Sequence, residues 1–182
     1  MFSHRKDFLI RLFVIIIAII APFVYIASEG VLPSISTYWE TPMQPMFIIV
    51  NASTSYFLFS MERWRIPAIL LLFLTAFSVE NYPDAHNFFA VCFFLMNIHS
   101  LFRSKRTHIP MIIYLCSVFF IFNGILYAEI FAISVLCITH LYLLICTWRI
   151  DIKRKSYTAY DRDVTQVSSR VRINRNRPDS LF

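Results

Sequence analysis

Runs of apolar residues, separated by short polar clusters, constrain this 182-residue chain more than any other feature. Several runs approach the roughly 20 residues that a helix needs to cross a hydrocarbon core about 30 Å thick. Charged residues make up only 15% of the chain, whereas soluble domains average about 25%. The charges also cluster between the runs instead of spreading along the chain. The pattern therefore predicts an all-α, polytopic membrane helix bundle.

Six transmembrane helices account for these runs. The predicted spans are Phe8–Ala27, Pro45–Met61, Pro67–Val79, Pro83–Phe102, Ile109–Tyr127 and Ile130–Trp148. The third span is short, and we expect Trp64 and Tyr82 to extend it, because aromatic rings settle at the level of the lipid headgroups. The first span follows basic residues, as in a signal peptide, but its apolar run exceeds the roughly 7–15 residues of a signal sequence. We therefore expect an uncleaved anchor.

The basic residues predict the orientation of these spans. All 17 Lys and Arg residues fall on one side of a six-span arrangement: near the N-terminus, in two loops and after the last span. The other three loops carry only acidic charges, at Glu29, Glu40, Glu80, Asp84 and Glu129. Cytoplasmic loops are enriched in Lys and Arg, so both termini are predicted to be cytoplasmic. The protein is expected in a plasma or inner membrane or in an endomembrane, and the net charge of +6 calls for no nucleic-acid partner.

Two regions of different character are predicted. Residues 1–148 form the six-helix transmembrane domain, and residues 149–182 form a basic cytoplasmic tail that is expected to be disordered, because it lacks sustained periodicity. Lys153, Arg154 and Lys155 begin this tail beside the membrane. They are candidate contacts for anionic lipids, each contributing about 1 kcal/mol near the surface. The alternative is an ordinary stop-transfer cluster.

Polar side chains inside the spans lie at helical spacing on one face of each helix. Three such stripes recur, in spans two, four and six: Asn51 with Thr54, His86 with Asn97, and Glu129 with His140. Polar groups within a membrane are costly unless they have partners, so these faces are expected to point into the bundle.

Depth within the spans singles out six polar residues near the predicted outer face. They are Asn51, Glu80, Asp84, His86, Asn123 and Glu129. Together they form a candidate outward-facing polar pocket for a lipid headgroup, because imidazole and amide groups both donate and accept hydrogen bonds. The alternative is that these side chains only join neighbouring helices by hydrogen bonds.

Catalytic and cofactor chemistry finds little support in the sequence. The cysteines lie in apolar runs and lack zinc-ligand spacing, at Cys92, Cys116, Cys137 and Cys146. A catalytic zinc ion usually has three protein ligands and an open position, and His86 with Asp84 supplies too few. We therefore assign no catalytic, cofactor-binding or metal-binding residues, and an enzymatic role is not favoured.

The chain resembles itself at an offset of 43 residues. Arg63, Ile66 and Pro67 match Arg106, Ile109 and Pro110, and the polar residues Glu80, His86 and Asn97 match Asn123, Glu129 and His140. A helical hairpin duplicated in parallel orientation produces such a pattern. The alternative is coincidence in a sequence so rich in Leu and Phe.

A set of short motifs runs through the first four spans: Gly30-Val-Leu-Pro33-Ser-Ile35-Ser36, Glu40-Thr-Pro42, Asn51, and His86 followed by Ala90. Their order resembles the DRAM/Frag/Sfk family of six-span membrane proteins, over residues 1 to about 150. Thr37 stands where that family has an aspartate. The resemblance implies a role in lipid homeostasis, trafficking or control of autophagy. It also implies a distant relation to membrane hydrolases with a Ser/Asp/His metal site, of which only Asp84 and His86 have counterparts here.

The sequence is compatible with three functions. The sequence favours a non-enzymatic lipid-binding or regulatory bundle with an outward-facing polar pocket. A metal-dependent membrane hydrolase is the first alternative. A small transporter or channel is the second, and it is disfavoured because the spans lack the Gly- or Pro-interrupted midplane segments common in transporters. Membrane lipids are the expected partners, and further protein partners or a second copy of the chain also stay open.

Overall fold

The computed structural model describes residues 2–103 and 105–175, with side chains for residues 6–103, 105–150 and 152. Every regular element in these ranges is a helix, so the predicted all-α class is confirmed. The α-helices are α1 (Phe2–Glu29), α2 (Gln44–Phe59), α3 (Arg65–Ala76), α4 (Pro83–Phe102), α5 (His108–Leu115), α6 (Ser117–Phe120) and α7 (Ile125–Arg175). Short 3-10 helices lie at Ile35–Glu40, Glu62–Trp64, Lys105–Thr107 and Ile121–Asn123.

Four helical segments in the described part of the chain are long and apolar enough to cross a membrane. They are Lys6–Glu29, Pro83–Phe102, Lys105–Asn123 and Ile125–Ile150, and they correspond to predicted spans one, four, five and six. Span four begins and ends at the predicted residues. The helices in the other two predicted spans are shorter, since α2 has 16 residues and α3 has 12.

The fifth predicted span is not one continuous helix. Between Lys105 and Asn123 it consists of α5, α6 and two 3-10 turns. It ends at Gly124, whose φ of +124° lies in a region that side chains other than glycine rarely adopt. The junction with α7 is therefore at Gly124, whereas the sequence predicted it between Tyr127 and Ile130.

The surface of the described bundle is more apolar than that of a soluble domain, and several polar side chains are buried. Among the described side chains, eleven polar ones are buried, including Asn97 at 0% exposed and His86 at 5%. Large apolar side chains are exposed along α1, α4, α5 and α7, among them Phe13 at 63% and Phe88 at 63%. Soluble monomers rarely expose extensive apolar surface, whereas a lipid-facing bundle does.

The first two helices run antiparallel. The rings of Tyr25 and Phe47 lie 6.3 Å apart at one end of the pair. At the other end the Arg11 guanidinium lies 5.8 Å from the centre of the Phe57 ring. Residue numbers therefore rise along α2 while they fall along α1.

Contacts along α3 and α4 connect both ends of this second pair. The Ser100 hydroxyl donates to the Arg63 carbonyl at 3.1 Å, and the Nδ1 atom of His86 lies 2.7 Å from the Phe77 carbonyl oxygen. Between them the Phe77 and Phe89 rings stack at 5.5 Å. The segment from Arg63 to Phe77 thus lies beside α4 from near its C-terminal end to near its N-terminal end.

The start of α7 contacts the segment that follows α1. The Leu126 amide donates to the Pro33 carbonyl at 3.1 Å, and the Ile35 amide donates to the Glu129 carboxylate at 2.5 Å. Eleven residues later, the His140 ring lies 4.4 Å from the Trp64 ring. Two widely separated positions on α7 are therefore tied to two different connections.

The helix starts separated by 43 residues have the same local structure, and their common origin stays a prediction. A 3-10 turn precedes each of α3 and α5, and Pro67 and Pro110 occupy the third position of their helices. The residues just before the helices have nearly equal backbone angles: φ −106° and ψ 6° at Trp64, φ −110° and ψ 8° at Thr107. A proline in the first turn removes no intrahelical hydrogen bond, which suits both starts.

The chain divides into two compact units, Met1–Tyr142 and Leu143–Phe182. In the second unit the Thr147 hydroxyl donates to the Leu143 carbonyl at 2.9 Å. The sequence predicted an irregular tail from Arg149, and the structure assigns these residues to α7 as far as Arg175. No proline or glycine interrupts residues 125–177, which removes the strongest obstacles to a helix. The side chains of Lys153, Arg154 and Lys155 lie outside the described residues, so their lipid contacts stay predictions.

Candidate functional site

A cavity of about 490 Å³ lies among the helices of the first unit. Its volume falls within the roughly 300–1,000 Å³ of typical small-molecule sites. Most of its lining side chains are apolar, and α1, α2, α4 and α7 all contribute. The polar side chains on its wall include Ser36, Asn51, Thr54, Asn97, Ser117, Glu129 and His140.

One face of α7 forms a continuous wall of this cavity. The lining residues recur at helical spacing: Glu129, Ala132, Ile133, Leu136, Cys137 and His140. From Glu129 to His140 the helix rises by roughly 16 Å. We name the two ends of the cavity after these residues, the Glu129 end and the His140 end.

The 3-10 helix Ile35–Glu40 lies at the Glu129 end. The Glu129 Oε2 atom accepts the Ile35 amide hydrogen at 2.5 Å. The Tyr38 hydroxyl, itself buried, donates to the Gly30 carbonyl at 2.6 Å. Gly30 has a φ of +79°, which lets the chain turn sharply after α1. The Glu129 carboxylate therefore holds a neighbouring backbone segment in place.

Aromatic rings enclose the imidazole at the His140 end. The His140 ring lies 4.4 Å from the Trp64 ring and 5.7 Å from the Phe57 ring. Its Nδ1 atom donates to the Leu136 carbonyl at 2.7 Å, one turn back on the same helix. Only 4% of His140 is exposed.

Asn97 of α4 lies on the cavity wall, and the predicted 43-residue offset pairs it with His140. Its Nδ2 atom donates to the Phe93 carbonyl at 2.8 Å, again one turn back. Among the described side chains, three buried polar atoms have no hydrogen-bond partner: Asn97 Oδ1, His140 Nε2 and Arg63 Nη1.

Part of the cavity lining, which we call the rim, is exposed on α4, on α6 and the 3-10 turn after it, and at the start of α7. Five residues both line the cavity and are more than a third exposed: Val91, Leu95, Val118, Ile121 and Ile125. All five are apolar. Contact of these apolar side chains with lipid has a lower free energy than their contact with water.

The structure brings two of the six candidate pocket residues to the cavity wall, Asn51 and Glu129. His86 is buried, but it does not line the cavity, and its Nδ1 atom lies against the Phe77 carbonyl. His86 therefore stabilises the connection between α3 and α4.

The other three candidates, Glu80, Asp84 and Asn123, are exposed and do not line the cavity. Whether any of the six binds a headgroup stays a prediction. The polar pocket predicted from the sequence did not include Asn97 and His140. Both residues nevertheless belong to the polar stripes and to the pairs at the 43-residue offset. Depth near the outer face was the criterion that excluded them.

Within the described residues, no three His, Cys, Asp or Glu side chains lie close enough to hold a metal ion together. The four cysteines are unpaired thiols: Cys92 lies in α4, Cys137 and Cys146 lie in α7, and Cys116 lies between α5 and α6.

Comparison with known proteins gives no match to a protein-family model, to a curated protein or to a solved structure. The resemblance to the DRAM/Frag/Sfk family therefore stays a prediction.

Proposed function

We propose that this chain is a six-span membrane protein, with both termini cytoplasmic, that binds a lipid-like amphiphile within its helix bundle. The cavity carries the proposal, because its wall is mainly apolar and its rim consists of exposed apolar residues. An apolar chain leaving a bilayer through this rim stays away from water throughout. Asn51 and Glu129 are the members of the predicted polar pocket that such a ligand would meet.

The contacts of α3 support six spans over four. Its flanking residues Arg63 and Phe77 bond to Ser100 and His86 of α4, which are separated by about 21 Å of helix. The segment that contains α3 runs beside α4 over this distance, and it is therefore nearly long enough to cross the hydrocarbon core of a membrane. The basic residues beside Glu62 and Lys105 then share the side of the N-terminus, in agreement with the positive-inside rule.

Labelling of single cysteines tests the topology. In a background without the four native cysteines, Glu62→Cys, Glu80→Cys and Lys105→Cys place thiols at exposed positions. An impermeant maleimide should label Glu80→Cys in sealed cells and the other two only after permeabilisation. Labelling of Glu62→Cys from outside would eliminate six spans in favour of an α2–α3 hairpin that enters and leaves the same face.

A pair of matched alanine variants tests ligand binding. Ala132 lines the cavity, whereas Ala52 is exposed on α2 and does not line it. Ala132→Leu fills part of the cavity and should lower co-purifying lipid, measured by native mass spectrometry, at least threefold. Ala52→Leu adds the same atoms outside and should leave lipid retention unchanged. Equal retention in both variants and the wild type would overturn the proposal.

A further inference from the structure

A single carboxylate lies on the cavity wall. Among the described residues that line the cavity, Glu129 is the sole Asp, Glu, Lys or Arg side chain. Ile125 and Ile133, one helical turn before and after it on α7, also line the cavity, so this face of the helix points inwards. Ile125 belongs to the rim as well and is 54% exposed. The Glu129 carboxylate therefore lies one turn from the accessible part of the cavity.

One oxygen of this carboxylate is available to a ligand. The Oε2 atom accepts the Ile35 amide hydrogen, and Ile35 itself lines the cavity. The Oε1 atom has no hydrogen-bond partner among the described residues. In this part of the chain, the unpaired side-chain atoms with less than 1 Å² of accessible surface belong to Arg63, Asn97 and His140. The Oε1 atom is not one of them, so it keeps accessible surface on a residue that lines the cavity.

The negative charge of Glu129 has no cationic partner among the described side chains, whose one ion pair joins Arg11 to Asp7 near the N-terminus. All 17 Lys and Arg residues fall on the other side of the predicted spans. An ionised carboxylate in an apolar surrounding is costly unless a cation pairs with it. A positively charged group in the cavity removes that cost, whereas a carboxylate or a phosphate raises it.

On the premise that the cavity binds an amphiphile, we propose that its ligand is a long-chain amine whose ammonium group pairs with Glu129. An ammonium N–H donates to the Oε1 atom, while the Ile35 amide keeps the Oε2 atom. Glu129 lies four residues after the start of α7, about 6 Å of helix, so the head group stays near the end of the bundle. The hydrocarbon chain follows the apolar α7 wall towards Ala132 and Leu136.

Matched octadecyl compounds test the charge of the head group. Full-length protein in phosphatidylcholine nanodiscs is loaded with radiolabelled octadecylamine, which is then displaced by unlabelled octadecylamine, octadecanol or octadecanoic acid. Empty nanodiscs give the background from partitioning into lipid. The alcohol keeps a hydrogen-bond donor and lacks the charge. Because close pairs of opposite charge attract strongly in a desolvated site, the wild type should bind the amine about tenfold more tightly than the alcohol, and the acid most weakly.

Two cavity variants and one control locate the ammonium group. Glu129→Gln keeps an acceptor for the Ile35 amide and removes the charge, so the preference for amine over alcohol should fall to about threefold or less. Ile125→Lys leaves the carboxylate in place and supplies a competing ammonium one turn away, so it should lower the preference as well. Glu40→Gln makes the same substitution at an exposed residue that does not line the cavity, and it should keep the wild-type preference. If Glu129→Gln does not fold, Ile125→Lys still decides.

The outcomes separate this inference from the proposed function. Equal binding of the amine and the alcohol by the wild type overturns the ammonium assignment while amphiphile binding stands. Tighter binding of the acid than of the amine also overturns it, as does an amine preference that Glu129→Gln or, in its place, Ile125→Lys leaves unchanged. If no compound binds and Ala132→Leu does not alter lipid retention, the proposed function itself fails.

Discussion

The two segments related by the predicted 43-residue offset, which we call the two halves, begin alike and end differently. Both α3 and α5 follow a 3-10 turn and carry a proline in their first turn. In the first half α3 runs without interruption to Ala76 and connects to α4 through residues 77–82. In the second half the helix breaks after Leu115 and ends at Gly124.

These different ends give the halves different roles. The first half closes on itself, because His86 at the start of α4 bonds Phe77 at the end of α3. The second half closes on the segment after α1, because Glu129 bonds Ile35. The broken helix also supplies Val118 and Ile121 to the rim of the cavity. The first of these two segments is therefore closed by its own residues, whereas the second contributes residues to the exposed part of the cavity lining.

The largest difference is expected between substitutions of the residues just before α3 and α5, which are Trp64 and Thr107. Trp64 is 1% exposed and its ring contacts His140, so Trp64→Ala should cost about 3–5 kcal/mol of unfolding free energy through the cavity that it leaves. Thr107→Ala loses the hydroxyl bond to the Leu101 carbonyl and should cost about 1 kcal/mol. Unfolding in mixed micelles of increasing dodecyl sulfate content measures both.

Trp39→Ala is the control for that comparison, because Trp39 is only partly buried and should cost less than Trp64. Equal losses at Trp64 and Thr107 would mean that the two helix starts contribute alike to stability.

Substitutions at Glu129 and His86 are expected to have intermediate effects. The two residues are 43 positions apart, and each bonds a backbone group of another segment. Glu129→Ala leaves the Ile35 amide without its acceptor and should cost about 2 kcal/mol, whereas Glu129→Gln keeps an acceptor and should recover about half of that. His86→Ala leaves the Phe77 carbonyl unpaired and should cost about 1 kcal/mol. Thermal unfolding in one detergent ranks the three variants. If His86→Ala lowers the stability more than Glu129→Ala does, the His86 hydrogen bond contributes more to stability than the Glu129 hydrogen bond, contrary to the prediction.

The smallest expected effect compares the turns themselves. Gly124→Ala forces a side chain into a φ of +124°, and its Cβ meets Tyr127 at an ordinary contact distance of 3.5 Å, so the cost should be about 1 kcal/mol. Ser78→Ala removes the hydroxyl that accepts from Asn81 and should cost about 0.6 kcal/mol. The same micelle titration resolves the two values. A neutral Gly124→Ala would indicate that the turn before α7 tolerates another backbone conformation.

Local patterns determined much of this protein from the sequence alone. The apolar runs predicted the all-helical class, and Pro83–Phe102 is a helix at both predicted ends. The polar stripes identified the cavity-facing sides of α2, α4 and α7, since Asn51, Asn97 and His140 all line it. These features follow from helical periodicity and from the position of proline, and both depend only on neighbours in the chain.

Tertiary structure decided which polar groups have partners and which do not. Glu129 reaches Ile35, 94 residues away, and His86 lies against the Phe77 carbonyl and away from the cavity wall. Asn97 and His140 are left with free acceptors beside a cavity that forms only when five or more helices pack. Spacing along one helix places a side chain on a face, but its partner is set by the packing of distant segments against that face.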